Sequence, residues 1–176
     1  MKRDFVYKKK ISTPIGEMLA CVTNEGVCFL DFLDRKNYEK LFSSIKTMLN
    51  AEIVDITNHT NSNAYNIIVK LEKELKEYFD KKRKEFTIPI ITIGTPFQMR
   101  VWDELLNIPY GKTISYIEEA ERINHKKAIR AVANANGKNK ISILIPCHRV
   151  IATNGKLGGY GGGLDRKEFL LSLEKE

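Results

Sequence analysis

Along the first half of the chain the hydrophobic positions switch between a period of two and a period of three to four, the mark of strands mixed with helices. Lys10 to Gly16 reads as a strand running into a turn. Met18 to Val22 and Val27 to Phe32 flank Thr23-Asn24-Glu25-Gly26, a hairpin signal. Asn37 to Leu49 predicts a helix with Tyr38, Leu41, Phe42, Ile45, Met48 and Leu49 on one face, and Glu52 to Ile56 reads as another strand. A longer helix is predicted from Ala64 to Arg83, with Ile67, Ile68, Leu71, Leu75, Tyr78 and Phe79 at helical spacing. Such stripes are core by default and imply no cofactor.

Phe86 to Ile90 and Gly94-Thr95-Pro96 read as an extended connector, which divides the chain into domains at 1–90 and 91–176. Beyond it the pattern is helical. Thr95-Pro96 starts a helix carrying Phe97, Val101, Trp102, Leu105 and Leu106, which Ile108-Pro109-Tyr110-Gly111 ends. Thr113-Ile114-Ser115-Tyr116 opens a second, running to Ile123; after Asn124-His125-Lys126, a third runs from Lys127 to Asn136. Two short helices joined by a tight turn match a helix-turn-helix. Lys127 and Arg130 fall on the early turns of its second helix, and Ala128, Ala131, Ala133 and Ala135 make that helix slim. A slim helix suits close approach to a groove and, equally, close packing onto its neighbours.

Charge sharpens the picture. The net charge of +7 on 176 residues is modest, but no Asp or Glu occurs from Ile123 to Leu164. From Arg122 to Lys156 lie Arg122, Lys126, Lys127, Arg130, Lys138, Lys140, Arg149 and Lys156. Positive charge without interleaved acids is a footprint for a polyanion, and with a helix-turn-helix beside it the expected partner is DNA. Lys81-Lys82-Arg83-Lys84 says less, because cations are favoured at the end of a helix in any case. The basic start, Met1 to Lys10, lacks the apolar stretch of a secretory signal, and no run is long enough for a membrane span. Cys21, Cys28 and Cys147 are too few and scattered for a disulfide scaffold, so a reducing cytoplasm is expected.

The chemistry concentrates at Pro146-Cys147-His148-Arg149. Ile141 to Ile145 reads as a short buried strand that Pro146 halts, which places Cys147 at an abrupt end of rigid structure. A thiol is nucleophilic as thiolate, and an adjacent base or positive charge is what moves it there at neutral pH. Cys21 and Cys28 sit in apolar strands with no base nearby and read as core. Together with a distant histidine they would lack the paired spacing of a metal site. His59 and His125 fall in polar turns and read as surface residues. No phosphate-cradling loop occurs, so neither a nucleotide cofactor nor a metal is expected. Gly158-Gly159-Tyr160-Gly161-Gly162-Gly163 sets an aromatic among glycines shortly after the nucleophile, which favours a binding wall over a plain loop. The last helix, Arg166 to Glu176, is expected to turn Phe169, Leu170 and Leu173 inward.

At this point the second half of the chain resembles a known family. Thr95-Pro96-Phe97-Gln98, Val101-Trp102, Ile108-Pro109-Tyr110-Gly111, Ser115-Tyr116, Arg130-Ala131-Val132, Ile145-Pro146-Cys147-His148-Arg149-Val150 and Gly159-Tyr160 stand in the order and spacing of the O6-alkylguanine-DNA alkyltransferases. In the first half, Ser12-Thr13-Pro14-Ile15-Gly16 and Leu30-Asp31-Phe32 are similar to the family's N-terminal domain. The resemblance implies an α+β chain. A ribonuclease H-like α/β domain without nuclease activity would be followed by an α-helical helix-turn-helix (winged-helix-like) alkyltransferase domain.

It also implies roles. Cys147 matches the alkyl-accepting cysteine, His148 the histidine that deprotonates it through a bridging water, and Glu174 the carboxylate that orients the histidine. Asn139 matches the asparagine tying the active-site turn to the helix-turn-helix, and Tyr116 the tyrosine that donates toward the base. Arg130 matches the arginine that replaces the flipped nucleotide, Tyr160 a pocket wall, and Gly161 the backbone donor to the guanine oxygen. Ser115, Lys127 and Ala131 complete the DNA-contacting set. The implied reaction is direct repair. O6-alkylguanine, and O4-alkylthymine with it, is flipped from duplex DNA and its alkyl group passes irreversibly to Cys147, once per molecule. No cofactor, membrane or obligate protein partner is implied.

The chain departs from the commoner pattern at Lys140, where many members have proline, at Ala133 and Asn134, where small residues are usual, and at Gly161, which lacks a hydroxyl. A non-reacting lesion sensor of this kind carries tryptophan at the cysteine position, against Cys147 here. A transcription regulator and a cysteine hydrolase fit less well, the first for want of a four-cysteine methyl-sensing domain, the second because it needs no basic helix.

Overall fold

The computed structural model describes residues 5–58 and 62–175, and the His59 turn, the first four residues and Glu176 lie outside them. Two compact units divide at Ile93 and Gly94. In the first, β1 (Phe5–Thr13), β2 (Gly16–Val22), β3 (Val27–Phe32) and β4 (Glu52–Asp55) form a sheet of order β3-β2-β1-β4. Its neighbours are antiparallel except β1 and β4, which run parallel. The hairpin turn falls where expected, with the Thr23 amide donating to the Gly26 carbonyl. β1 starts at Phe5, earlier than the predicted Lys10, because β2 and β4 pair with its first half.

All six residues of β3 are buried, so its alternation is hidden by cover on both faces. On one face α1 (Tyr38–Leu49) packs Ile45 and its neighbours against Leu19, Cys21 and Phe29. α2 (Asn63–Phe79) packs on β1 and β2 with Ile67, Ile68, Leu71, Leu75 and Tyr78 buried. Met48, expected inward, is 49% exposed, at the edge of the α1 stripe. α2 stops before the predicted Arg83: Lys81 is left-handed (φ 58°), and the amides of Lys82 and Arg83 fold back onto the Glu77 carbonyl. Lys81 to Lys84 therefore form a turn after the helix. Phe86 to Ile91 is more than a connector. Its backbone joins the edge of β3, with the Val27 amide donating to the Pro89 carbonyl and the Ile91 amide to that of Val27. Gly26 makes room for this, since a Cβ there would lie 2.8 Å from the Pro89 oxygen.

The second unit is helical. α3 (Pro96–Leu105) opens with a reciprocal capping box between Thr95 and Gln98. α4 (Tyr116–Arg122) is capped by Ser115, whose hydroxyl accepts from the Glu118 amide. The chain turns through left-handed Asn124 into α5 (Ile129–Asn136), so helix-turn-helix geometry is present. Lys127, predicted on an early turn of this helix, instead precedes α5. Trp102 binds α3 to α5 by donating from its indole to the Ala135 carbonyl at 2.9 Å. The two-residue strands β5 (Ile114–Ser115) and β6 (Val150–Ile151) pair in parallel, and α6 (Leu164–Glu174) closes the unit. Among the described residues no helix is long and apolar enough to cross a membrane.

Candidate active site

The segment before Cys147 is buried, as expected, but it is a tight turn and not a strand. A bridge joins Ser142 to Ile145, and Ile143 is left-handed at φ 74°, a conformation that costs a β-branched residue free energy. Asn139 holds this turn from inside. Its Oδ1 accepts from the Ile141 amide at 2.9 Å, while Nδ2 donates to the Ile145 carbonyl at 2.9 Å and lies 3.2 Å from the Cys147 sulfur. An N–H aimed at sulfur favours the thiolate over the thiol. Cys147, His148 and Arg149 then form one 3-10 turn, all three buried.

Glu174 is the hub beneath the thiol. His148 Nε2 lies 2.8 Å from its Oε1, and Arg149 donates from Nε at 2.8 Å to Oε2 and from Nη2 at 3.0 Å to Oε1. The Gly111 amide donates to the same carboxylate at 3.2 Å. Burial pushes Glu174 upward, but hydrogen bonds from His148 and Arg149 outweigh it and hold the carboxyl well below the usual range. Burial also lowers His148, against the pull of Glu174, which leaves a neutral ring. With an ionised carboxylate facing Nε2, the proton resides there and Nδ1 is the basic nitrogen. That Nδ1 is buried and meets no hydrogen-bond partner among the described residues.

The Ile108-Pro109-Tyr110-Gly111 run thereby acquires a purpose. The Ile108 carbonyl accepts from Arg149 Nη1 at 2.6 Å, the Tyr110 hydroxyl donates to the Leu173 carbonyl, and the Gly111 amide reaches Glu174. Gly111 has φ +73°, and a Cβ there would stand 2.7 Å from the Glu174 carbonyl oxygen. Only glycine meets both conditions.

Above the thiol lies a cavity of about 360 Å³ lined by Tyr116, Ala133, Asn136, Gly137, Cys147, Gly159, Tyr160 and Gly161. That is room for a flat heterocycle. Tyr116 donates to the Gly159 carbonyl at 3.2 Å, and burial, then the Cys147 charge, raise its pKa. Gly158 is left-handed, and a side chain there would meet the Tyr116 ring at 2.9 Å. The glycine run thus forms a wall with Tyr160, whose ring stands edge-on to His148.

Sequence reasoning missed Lys167. It is wholly buried on α6, donates to the Val150 carbonyl at 2.6 Å and the Gly159 carbonyl at 3.0 Å, and sits 5.8 Å from the Tyr116 ring centre. Burial lowers its pKa to about 8, while the charge at Cys147 pulls it up. The inward stripe of α6 is Lys167, Leu170 and Glu174, and Phe169, expected inward, is 41% exposed. A lysine on the first turn of α6 in register with Leu170 was the available signal. The acid-free stretch also needs correction. Arg149 is consumed by Glu174, and Lys140 is buried over the Trp102 ring with its pKa lowered by that burial. Lys126, Lys127, Arg130, Lys138 and Lys156 stay exposed, with Ala131 exposed beside Arg130. His125 is half-exposed at the helix-turn-helix turn, 3.1 Å from Arg100 Nη1. Cys21 and Cys28 are core thiols, and burial pushes Cys28 up to about 12. No group of three or more His, Cys, Asp or Glu is placed to hold a metal ion among the described residues.

Two family models match the chain. Residues 6–92 match the ribonuclease-like domain of 6-O-methylguanine DNA methyltransferase, and residues 96–176 match its DNA-binding domain. A methylated-DNA–protein-cysteine methyltransferase of Methanosarcina acetivorans is 38% identical over 96% of this chain and 98% of its own length. Among solved structures, O6-methylguanine methyltransferase of Mycobacterium tuberculosis is similar at 39% identity and TM-score 0.78, covering 97% of this chain and 93% of that one. A structure of the M. tuberculosis protein in complex with DNA is similar at 37% identity and TM-score 0.77, covering 96% and 92%.

Proposed function

The chain belongs to the 6-O-methylguanine DNA methyltransferase family, and from that premise we propose that Cys147 is the acceptor and the pocket above it the seat of the damaged base. The protein is a DNA-binding repair methyltransferase that moves an alkyl group from DNA to one of its own cysteines. The observation that carries the assignment is the buried His148–Glu174 pair next in the chain to Cys147, which lines a base-sized cavity.

Neutral His148 takes the Cys147 proton on Nδ1 through a bridging water, and Glu174 steadies the imidazolium that forms. The Asn139 amide at the sulfur favours the thiolate. The thiolate attacks the alkyl carbon, a C–S bond forms, the C–O bond breaks and its electron pair stays with guanine. As charge grows on the base, the Tyr116 hydroxyl leaves the Gly159 carbonyl and donates to the ring, and the Gly161 amide faces the oxygen. The guanine anion recovers the proton that His148 removed from Cys147, the imidazole returns to its neutral form, and the base leaves. The thioether is not hydrolysed, so each molecule acts once. Arg130 on exposed α5 enters the duplex as the nucleotide leaves, offsetting an unstacking cost of a few kcal/mol. Ser115, Lys127 and Ala131 flank it as DNA contacts. The domain division at 1–90 and 91–176, activity on O4-alkylthymine and a cytoplasmic location belong to the same proposal. Mass spectrometry of Cys147→Ala tests it. The variant should bind DNA and take up no alkyl group, and alkylation of any other residue at wild-type rate would refute the assignment.

A further inference from the structure

A second buried carboxyl lies beside this pocket and takes no part in the chemistry above. Glu119 is 0% exposed on α4, and Asn136, the last residue of α5, lines the cavity beside Cys147. Asn136 Nδ2 donates to Glu119 Oε2 at 2.6 Å. The two remaining atoms, Glu119 Oε1 and Asn136 Oδ1, are both buried and meet no hydrogen-bond partner among the described residues. With the carboxyl ionised, both are acceptors, and two orphan acceptors on one bonded pair are costly. One proton on Oε1 supplies the missing donor, because an acid and a primary amide close a ring of two hydrogen bonds.

Among the described residues no cation acts on Glu119, and Arg100 on α3 is exposed beside His125. Glu104 on α3 raises its pKa further. Arg122 is engaged by Glu118 at 2.7 Å and Glu104 at 3.3 Å. The single charged side chain of α5, Arg130, is exposed. β5 and β6, which also pack on α4, carry no titratable group. Tyr116 on the same helix and Cys147 across the cavity can only add negative charge. Burial accordingly pushes Glu119 up to about 7, against the Asn136 hydrogen bond.

Resting on the alkyl-transfer reading of this pocket, we propose that Glu119 is a neutral acid locked head-to-head with Asn136, and that this pair is a positioning device for the base. While the ring is closed, the Asn136 amide is held in one orientation and the wall beside Cys147 is rigid. Loss of the proton to solvent sets Oε1 against Oδ1, and the amide turns. Rising pH therefore loosens the pocket through a residue that touches neither the base nor the sulfur.

Two measurements test this. In carbon-13 NMR of the wild-type protein, the Glu119 carboxyl carbon should titrate near 7, apart from ordinary glutamates at about 4.3. Titration with the ordinary glutamates overturns the pair, and the readout stands even where a variant fails to fold. Glu119→Gln keeps two hydrogen bonds at every pH. The ratio of single-turnover rates on O6-methylguanine duplex, wild type over E119Q, should be level in mild acid and fall about threefold or more in mild base. A flat ratio beside a raised midpoint overturns the positioning role. If wild type gains no alkyl group at any pH, the alkyl-transfer reading fails instead, and the NMR titration still decides the pair.

Discussion

Glu174 shows how much one buried side chain can organise: four donors from His148, Arg149 and Gly111 meet on its two oxygens. Glu174→Gln leaves Arg149 without its counter-charge in a buried place and should cost about 3–5 kcal/mol in urea unfolding. Transfer should fall by at least about tenfold in the same variant, read by mass against time. The carboxyl is held below its unfolded value. Its contribution is therefore complete above the ordinary glutamate range and is lost as pH falls below about 4.3. E174Q should lack that increment of acid sensitivity, and an unchanged acid limb would count against the ionised hub. Cys147 and His148 were legible because they are neighbours in the chain. Glu174 came only with the family resemblance, since its histidine lies 26 residues away. Arg149 and Lys140 misled, for they read as surface charge until their burial is known. Glu119 was unreadable for the same reason, and Lys167 offered only its register with Leu170, because only tertiary packing turns an ordinary charged residue into a buried one.

At the level of elements, the slim helix α5 and the turn ending α3 carry the separate demands of reach and support. Arg130→Ala should slow repair in duplex far more than reaction with free O6-benzylguanine, where nothing has to be flipped. Equal losses on the two substrates would remove the flipping role. Gly111→Ala forces a side chain into a left-handed turn and against the end of α6. It should lower stability by more than about 1 kcal/mol in thermal melts and slow transfer with it. The existence and type of most elements followed from periodicity and caps. The helix starts at Thr95-Pro96 and at Thr113 to Tyr116 stand where their residue types had placed them. Ends were harder. α2 stops at a left-handed Lys81 that no local preference demands, and Ile141 to Ile145 reads as a strand because its buried turn uses strand-forming residues.

For the whole molecule, composition pointed to the partner more surely than to the strength of binding. Eight cations in the acid-poor stretch suggested a broad electrostatic footprint, yet Lys140 and Arg149 are buried and Arg122 is paired with Glu118 and Glu104. Lys126 is held by Glu121 as well; with four exposed cations outside these pairs, the slope of log affinity against log salt should be no steeper than about −4. A slope near −8 in filter-binding or anisotropy titrations would mean that other surfaces join. The unit of residues 6–92 showed its α/β character in the pattern alone, while its fold relationship needed the family comparison. The most direct test of the account is the intact mass of the protein after mixing with duplex DNA carrying O6-methylguanine. One methyl group per molecule, mapped to the peptide containing Cys147 and absent from Cys147→Ala, is the predicted result. Tight binding of the lesion with no gain in mass would contradict it.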